Sequence, residues 1–545
     1  MLFAACLVMN AAADTHKSQS ARGSVYIPVD SWVYPAFRRL AALGYAPDEE
    51  SLAAPWTRRE CLMLIEEAED IASRRSTRLS AGPLNTEALR LIHTLKAEFS
   101  DEIESADTVK VESLYTRYTQ IGGSPLRDSY HFGQTIIDDY GRPYGPGANT
   151  VDGMSGYATW GRFSGYLRGE YQQSGTSAPY SSSIQQFIAG VDQTALPSPV
   201  SRAGVRRFDP VEAYVGVQVG AFNITAGKES IWWGPGEDSA FNFSNNAEPM
   251  YMLRAAQTNP IVLRGPLRHL GRIRTQFLLG RLTGHEFPRR PWINAQKITF
   301  QLTPDLELGF TRSAIFGGLG HPFTTDTFFR SLFSSASTGN TTFGSATDPG
   351  DRRSGFDFRW HVPKLRRFVT VYSDSLADDE PNPLDASRRS AWGPGIYITQ
   401  LPRLRNLDLR FETYATWLYA QDHGGLFIYW NNQYHDAYTN NGNVLGSWVG
   451  RDARSYVASS RYWVSGKNTI TGSWRQTKSG NDFLPGGGTQ TDLSLAVQWQ
   501  IRPEWLLNGF VQYERFSIPV LGRPKRDLAA GMQVTFYPKG WKLAR

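Results

Sequence analysis

No run of about 18 apolar residues occurs in this sequence, so it contains no helix able to span a bilayer. Cysteine is nearly absent, with only Cys6 and Cys61 present. If the N-terminus is cleaved, Cys61 alone remains and no internal disulfide can form. Concentrated charge is also missing. The net charge of +6 comes from Arg scattered one or two per segment, which argues against nucleic acid as a partner. No HExxH, GxSxG, P-loop or paired-Cys spacing stands out. The sequence therefore predicts no catalytic centre, no metal and no cofactor.

What is present is alternation. In 407–419, Leu407, Leu409, Phe411, Thr413, Ala415, Trp417 and Tyr419 suit hydrocarbon, while Asp408, Arg410, Glu412, Tyr414 and Thr416 between them are polar. A strand sends alternate side chains to opposite faces. This one has an apolar and a charged face, and it is long enough to cross a bilayer at a tilt. The pattern returns at Leu493, Leu495, Val497, Trp499 and Ile501, and again at Leu528, Ala530, Met532, Val534 and Phe536. Aromatics are abundant, with 16 Trp, 25 Tyr and 29 Phe, many near strand ends, as interface girdles require. The series predicts a mainly β protein, a large antiparallel transmembrane β-barrel of about 18 strands, with lipid outside and a charged lumen. About nineteen candidate segments lie between Val109 and Tyr537, against the even number expected, and the surplus is placed between Val109 and Val219. An Arg at Phe411 or Val497 should be costly and an Arg at Glu412 mild.

Residues 1–13 read as a signal-peptide remnant, apolar and ending in Ala11-Ala12-Ala13. Residues 24–106 differ in kind and read as a small periplasmic helical bundle. Segment 31–43 has helical apolar spacing and stops at Gly44. Thr57-Arg58-Arg59-Glu60 is a capping-box pattern that opens a second helix with Cys61, Leu64, Ile65, Ala68 and Ile71 on one face. A third starts near Asn85, with Ala88, Leu91, Ile92, Leu95 and Phe99 aligned. Three amphipathic helices of this size make a marginal core alone and should brace the barrel mouth. No helical periodicity of comparable length follows Thr108. Residues 109–545 then form the barrel. Short turns at Pro304, Pro363, Pro402 and Pro503 should lie at its periplasmic end, with Arg545, and the long Gly-, Ser- and Asn-rich stretches at the opposite, extracellular end.

Two loops carry candidate site residues. The stretch 228–249, KESIWWGPGEDSAFNFSNNAEP, ends a strand abruptly at Trp232, Trp233, Gly234, Pro235 and Gly236. It is read either as a rim turn with interface tryptophans or as a loop folded inward, with Trp232, Trp233, Asn242, Asn245, Asn246 and Glu248 lining it. A related AWGPG at 391–395 marks the loop end of a strand. The stretch 427–448, FIYWNNQYHDAYTNNGNVLGSW, offers Tyr429, Trp430, Asn431, Asn432, Tyr434, Asp436 and Tyr438. Aromatic faces contact the C–H faces of sugars, and amides both donate and accept, so these are the carbohydrate-binding candidates. A solvated loop with interface aromatics is the plain alternative. His423 and His435 with Asp422 and Asp436 are read as polar loop contacts. Glu237-Asp238 and Asp378-Asp379-Glu380 are read as charged loop faces.

The Trp232-Trp233-Gly234-Pro235-Gly236 run, followed by Asn245, Asn246, Glu248 and Pro249, resembles the signature of the capsule assembly protein Wzi family. The order of parts does too: helices with Ser31-Trp32 and Pro55-Trp56-Thr57-Arg58, then a long barrel. The resemblance implies an eighteen-stranded outer-membrane barrel with a periplasmic helical bundle. It implies a lectin-like, non-enzymatic protein that binds or anchors capsular or related surface polysaccharide and aids capsule assembly. Implied partners are that polysaccharide, outer-membrane lipid and periplasmic export machinery. The alternatives are a passive diffusion porin with an Arg-rich lumen and, behind it, an outer-membrane hydrolase.

Overall fold

The computed structural model describes residues 22–77, 86–100, 102, 107–194, 204–263, 265–334, 343–378, 389–418 and 425–539. Segment 1–13, Asp379, Glu380, Tyr419, Asp422, His423 and Arg545 lie outside the described residues.

Alternation dictates the wall. In the strand Leu407–Ala415, Asp408, Arg410, Glu412 and Tyr414 are buried, while Phe411 faces out and is exposed. The same holds at Leu493 and Leu495, exposed outside, with Asp492 buried inside. Eighteen such strands run in chain order: β1 Thr108–Gly122, β2 Gly147–Trp160, β3 Phe163–Gln173, β4 Arg206–Val219, β5 Phe222–Glu229 and β6 Met250–Gln257. Next come β7 Arg272–Arg281, β8 Trp292–Thr303, β9 Leu306–Phe316, β10 Asp351–His361, β11 Val369–Asp378 and β12 Ser390–Ile398. The last six are β13 Leu407–Ala415, β14 Ala453–Trp463, β15 Thr469–Ser479, β16 Gly488–Arg502, β17 Trp505–Ser517 and β18 Lys525–Phe536. After a break, Ile261–Val262 continues β6 along the same partner, β7. Each strand pairs antiparallel with its sequence neighbours, and β1 closes on β18 with Tyr115 opposite Thr535. The result is a closed 18-stranded antiparallel barrel. Closure leaves no unpaired edge, which is what lets strands sit in hydrocarbon. The region expected to hold the surplus segment contributes four wall strands, β1 to β4, plus an off-wall hairpin of Arg127–Asp128 with Gly133–Gln134.

Outward aromatics cluster at both ends. Trp160, Phe163, Trp499 and Trp505 are exposed near the short turns, and Tyr171, Phe208, Tyr251 and Tyr513 near the long loops. The turns at Pro304, Pro363, Pro402 and Pro503 share one end.

Three helices, α1 Val33–Ala42, α2 Arg58–Thr77 and α3 Thr86–Glu98, occupy that same end. The capping box forms: Glu60 N–H donates to Thr57 Oγ1 (3.2 Å) and Thr57 N–H to Glu60 Oε2 (2.7 Å). Ala88, Leu91 and Leu95 of α3 and Cys61, Ile65 and Ala68 of α2 are buried in one core with Phe37 and Leu40 of α1, and that core includes Trp232 and Trp463 of the barrel chain. Charge locks the helices to the wall. Arg39, fully buried, donates to Glu87 (2.7 Å), Asp408 (3.0 Å) and the Thr399 and Arg405 carbonyls. Arg168 pairs with Asp30, Arg274 with Glu50 and Glu60, and Arg359 with Glu49.

Two helices beyond Thr108, α4 Ser182–Asp192 and α5 Thr325–Phe333, were not foreseen. At 11 and 9 residues they are comparable in length to α1, but each sits in a Ser- and Thr-rich stretch whose composition reads as loop.

Candidate functional site

Loop 230–249 leaves β5 and folds inward through the lumen, so the rim-turn reading of Trp232 and Trp233 does not hold. Trp232 makes a two-way backbone bridge to Ala54 (2.8 and 3.0 Å), and Gly234 N–H reaches the Leu52 carbonyl (3.0 Å). The loop therefore touches the helical end of the barrel. Trp233 is fully buried, and its indole donates to Gln276 (3.2 Å). At Gly234, φ is +156°, and a Cβ would lie 2.9 Å from Asp374 Oδ2, so only glycine fits that approach. In the related 391–395 stretch, β12 runs past the loop. Gly393 faces inward, where a Cβ would sit 3.0 Å from the Phe241 ring, and Trp392 points outward, half-buried.

The wall holds this loop by its buried charges. Glu412 accepts the Glu237 and Asp238 N–H groups (3.0 and 3.1 Å) and the Tyr372 and Tyr414 hydroxyls (2.6 and 2.7 Å). Asp374 accepts the Phe241 N–H at 2.6 Å. Glu237 lies between Arg410 (2.6 Å) and Arg461 (2.5 Å). Burial opposes its charge, but Arg410 and then Arg461 hold its carboxyl below the usual range. Asp238 is driven the other way, by burial and then by Glu412. The pair is not a solvated loop face. Nor is Arg at Glu412 a mild change: it would unseat four donors and face Arg410.

Loop 427–448 interlocks with loop 230–249. Tyr429 and Tyr438 stack with centroids 5.9 Å apart at 9°. Their hydroxyls donate to the Phe241 and Asn242 carbonyls, both at 2.8 Å. Ser244 N–H donates to the Leu445 carbonyl (2.9 Å), and the Trp448 indole to the Asp238 carbonyl (2.5 Å). Asn246 Nδ2 reaches the Val444 carbonyl (3.0 Å). Asn245 accepts the Tyr140 N–H from loop 123–146 (2.6 Å). Glu248, ahead of Pro249, is gripped by Lys228 (2.6 Å) and Asn441 (2.7 Å). Trp232, Trp233, Gly234, Pro235, Gly236, Asn245, Asn246 and Glu248 thus belong to one plug.

The sugar candidates of 427–448 are placed differently from a shallow, exposed surface. Tyr429, Trp430, Asn431, Tyr434, Asp436 and Tyr438 are all buried, and Asn432 alone of the seven is exposed. Asn431 Oδ1 caps the Gln433 and Tyr434 N–H groups (2.8 and 3.1 Å). Asp436 accepts the Glu286 and Phe287 N–H groups (2.8 and 3.0 Å). Their aromatic faces and amides serve the plug's own packing. Exposed beside them are Phe427, against Trp430 (5.8 Å), and Phe287, edge-on to His435 (6.0 Å).

A third inward element passes through His131, missed because nothing local marks it. It lies buried between Asp128 (Nδ1, 2.9 Å) and Asp192 (Nε2, 2.8 Å), and Asp192 also takes Arg451 (2.7 Å). Burial lowers its pKa, but Asp128 and Asp192 outweigh that and push it up to about 10. The imidazolium and Arg451 offset a carboxylate at the C-terminus of α4, where the helix dipole alone would disfavour it.

Between α1 and the wall at β14–β18 and β1 a cavity of about 300 Å³ remains, bounded by Trp32, Thr471, Ala496, Asn508, Phe510 and Gln533. Among the described residues no group of three or more His, Cys, Asp and Glu is placed to hold a metal ion.

The family model for capsule assembly protein Wzi matches residues 117–527. A 55.8 kDa protein of the cps region of Klebsiella pneumoniae is 28% identical over 178 residues, 32% of this chain. The match spans 34% of that relative's length. The Wzi structure from Escherichia coli, described as an outer-membrane protein involved in group 1 capsule assembly and a carbohydrate-binding β-barrel, superposes with a TM-score of 0.69 at 16% identity. That superposition covers 95% of this chain and 99% of the other. With a signature loop built into the lumen and a family match over most of its length, the chain belongs to the capsule assembly protein Wzi family.

Proposed function

We propose that this chain is a non-enzymatic outer-membrane barrel that binds surface polysaccharide at its long-loop end and holds it on the cell during capsule assembly. One observation carries the reading: loops 230–249 and 427–448 interlock inside the lumen, so the long-loop end is a closed floor rather than a channel mouth. A floor suits capture of a polymer too large to enter. Family membership and the carbohydrate-binding description of the related E. coli barrel support it. The outer membrane is where closed barrels with short turns at one end and long loops at the other reside. By the same polarity, residues 24–106 form a periplasmic helical domain that closes the inner mouth, where export machinery would dock, and 109–545 form the barrel. In this reading the buried residues of 427–448 shape the floor, and Asn432, Phe427 and Phe287 present the contact surface. Individual contacts are shallow, and many copies per cell add avidity.

Replacing Phe427 and Asn432 together with Ala should leave a folded, heat-modifiable barrel and shift polysaccharide from the cell surface into the medium. Cell-bound polysaccharide at the normal level, with the variant present and folded, would overturn the assignment of this surface. Stable large channels in planar bilayers would favour a porin instead.

A further inference from the structure

Helix α5 lies on the outer side of the barrel wall. In β8, Lys297 points inward to Asp357, so Asn294 and Gln296, of opposite parity, point out. In β9, Glu307 faces Arg359 inside, so Arg312 points out. In β10, Arg353 pairs inside with Asp351 and Asp378, so Arg352 points out. All four outward polar side chains reach the same short segment. Asn294 Nδ2 donates to Ser331 Oγ (2.7 Å) and Gln296 Nε2 to the Leu332 carbonyl (3.3 Å). Arg312 and Arg352 both donate to the Ser334 carbonyl, at 2.5 and 3.0 Å.

Three neighbouring strands thus carry polar groups on the face where the rest of the wall is apolar, and α5 covers them. Two guanidiniums at the helix C-terminus satisfy a carbonyl there and favour its dipole. Thr324 and Thr327 form a capping box at the other end. Hydrocarbon offers no partner for backbone groups, so a helix lying in it needs both ends satisfied by protein. The other face of α5 carries aromatic rings beside one exposed ion pair, Asp326 with Arg330 (2.6 Å). Phe329 is 51% exposed and Phe333 45%, and their rings stack at 6.2 Å. Phe323, also exposed, packs on Trp292 (5.0 Å) and Phe316 (5.7 Å), both at the long-loop ends of their strands.

We propose that α5 is an in-plane lipid anchor, its Phe329 and Phe333 inserted among the acyl chains of the leaflet at the long-loop end. The occupant follows from continuity: the helix sits on the lipid-facing wall, replaces its polar patch with an apolar one, and extends the same surface outward. This assignment is independent of the polysaccharide reading, since it concerns the wall and not the plug.

The test is nitroxide accessibility in liposomes of defined phospholipid. A spin label is placed at Phe329→Cys, or at Phe333→Cys, in a background with Cys6→Ala and Cys61→Ala. Reference labels go at Phe411→Cys on the lipid face and at the exposed loop residue Asn481→Cys. The expected result is a ratio of oxygen to water-soluble nickel collisions matching Phe411 and well above Asn481. Ser331→Ala, which removes the Asn294 contact, should lower the ratio at Phe329 toward the aqueous value. A ratio at Phe329 and Phe333 equal to that of Asn481 would overturn the proposal. So would shielding from both reagents, which would mean a protein partner covers the helix.

Discussion

The two halves of the lumen are built differently. Along β7–β13 many inward side chains are large and charged, and they are paired with one another, with the plug or with the helices. Lys297 meets Asp357, Arg353 meets Asp351 and Asp378, Arg410 meets Glu237, and Glu412 takes four donors from the loop and its neighbours. Along β15–β18 charge is confined to the long-loop part, where Arg475 pairs with Asp492 (2.7 Å) and reaches the Gln134 carbonyl, and Glu514 accepts from Thr135 and Gln490. Toward the short turns the inward side chains are small or amide, such as Thr471, Ser473, Ser494, Ala496, Asn508, Gly531 and Gln533. There the plug stands back and the cavity of about 300 Å³ lies. Charge in this lumen is thus not the lining of an ion path. It is the means by which the wall fastens the plug and the helices, and the cavity lies where the inward side chains of β15–β18 are small or amide.

The comparison can be broken at its strongest point first. Replacing Tyr429, Trp430 and Tyr434 together with Ala removes three buried aromatics, each at about 3–5 kcal/mol. The plug should collapse while the wall survives, and channel conductance should appear in planar bilayers. A folded variant that stays non-conducting would show that the plug does not depend on this packing.

Next come single charges. Glu412→Ala leaves two loop amides and the Tyr372 and Tyr414 hydroxyls without their buried acceptor and should cost about 3–5 kcal/mol. Asn508→Ala, beside the cavity, should cost under about 1 kcal/mol as a lone hydrogen-bonding group. Urea unfolding monitored by gel mobility would distinguish them, and equal losses would erase the distinction between the halves. His131→Ala leaves two buried carboxylates facing each other and should also cost about 3–5 kcal/mol, seen as faster protease cleavage around α4. The pH dependence has a definite sign. With a folded pKa of about 10 against an unfolded value near 6.5, the His131 contribution is fully present below pH 6.5 and is lost as pH rises through 10.

The wall itself gives the next effect. Phe411→Arg, outward near mid-bilayer, should cost about 2–4 kcal/mol, measured by folding into lipid vesicles. Last, Ala496→Leu should fill cavity space at under about 1 kcal/mol, whereas Gly393→Ala, against Phe241 and Tyr414, should show the roughly 1–3 kcal/mol of overpacking. A reversal of that order would mean the cavity is not where it is placed.

The wall was legible because its signal is local. Leu407, Leu409 and Phe411 against Asp408, Arg410 and Glu412 need only the two-residue period of a strand. The Thr57–Glu60 capping box and the α2 and α3 stripes were legible for the same reason, with a 3.6-residue period. The plug was only half legible. Gly234-Pro235-Gly236 showed that the chain turns sharply there, and the inward alternative was among the readings. What the turn meets, Ala54 and Asp374, lies far away in sequence. The aromatics of 427–448 misled because a sugar platform and a packed loop core draw on the same residues. Composition does not say which faces are already taken, and here Tyr429 and Tyr438 take each other's.

By itself the sequence determined that this chain crosses the membrane as strands, how many strands to within one, which face of each meets lipid, and that a helical segment precedes them. These follow from periodicity, which each segment carries alone. Only the tertiary structure decided that the lumen is closed, that its charges are spent on loop amides and helices, and that α5 lies on the outer wall. Each of those depends on pairs such as Glu412 with Glu237, or Arg312 and Arg352 with Ser334. Such a pair joins side chains to backbone groups on other elements, 18 to 175 residues away, and no sequence period encodes it.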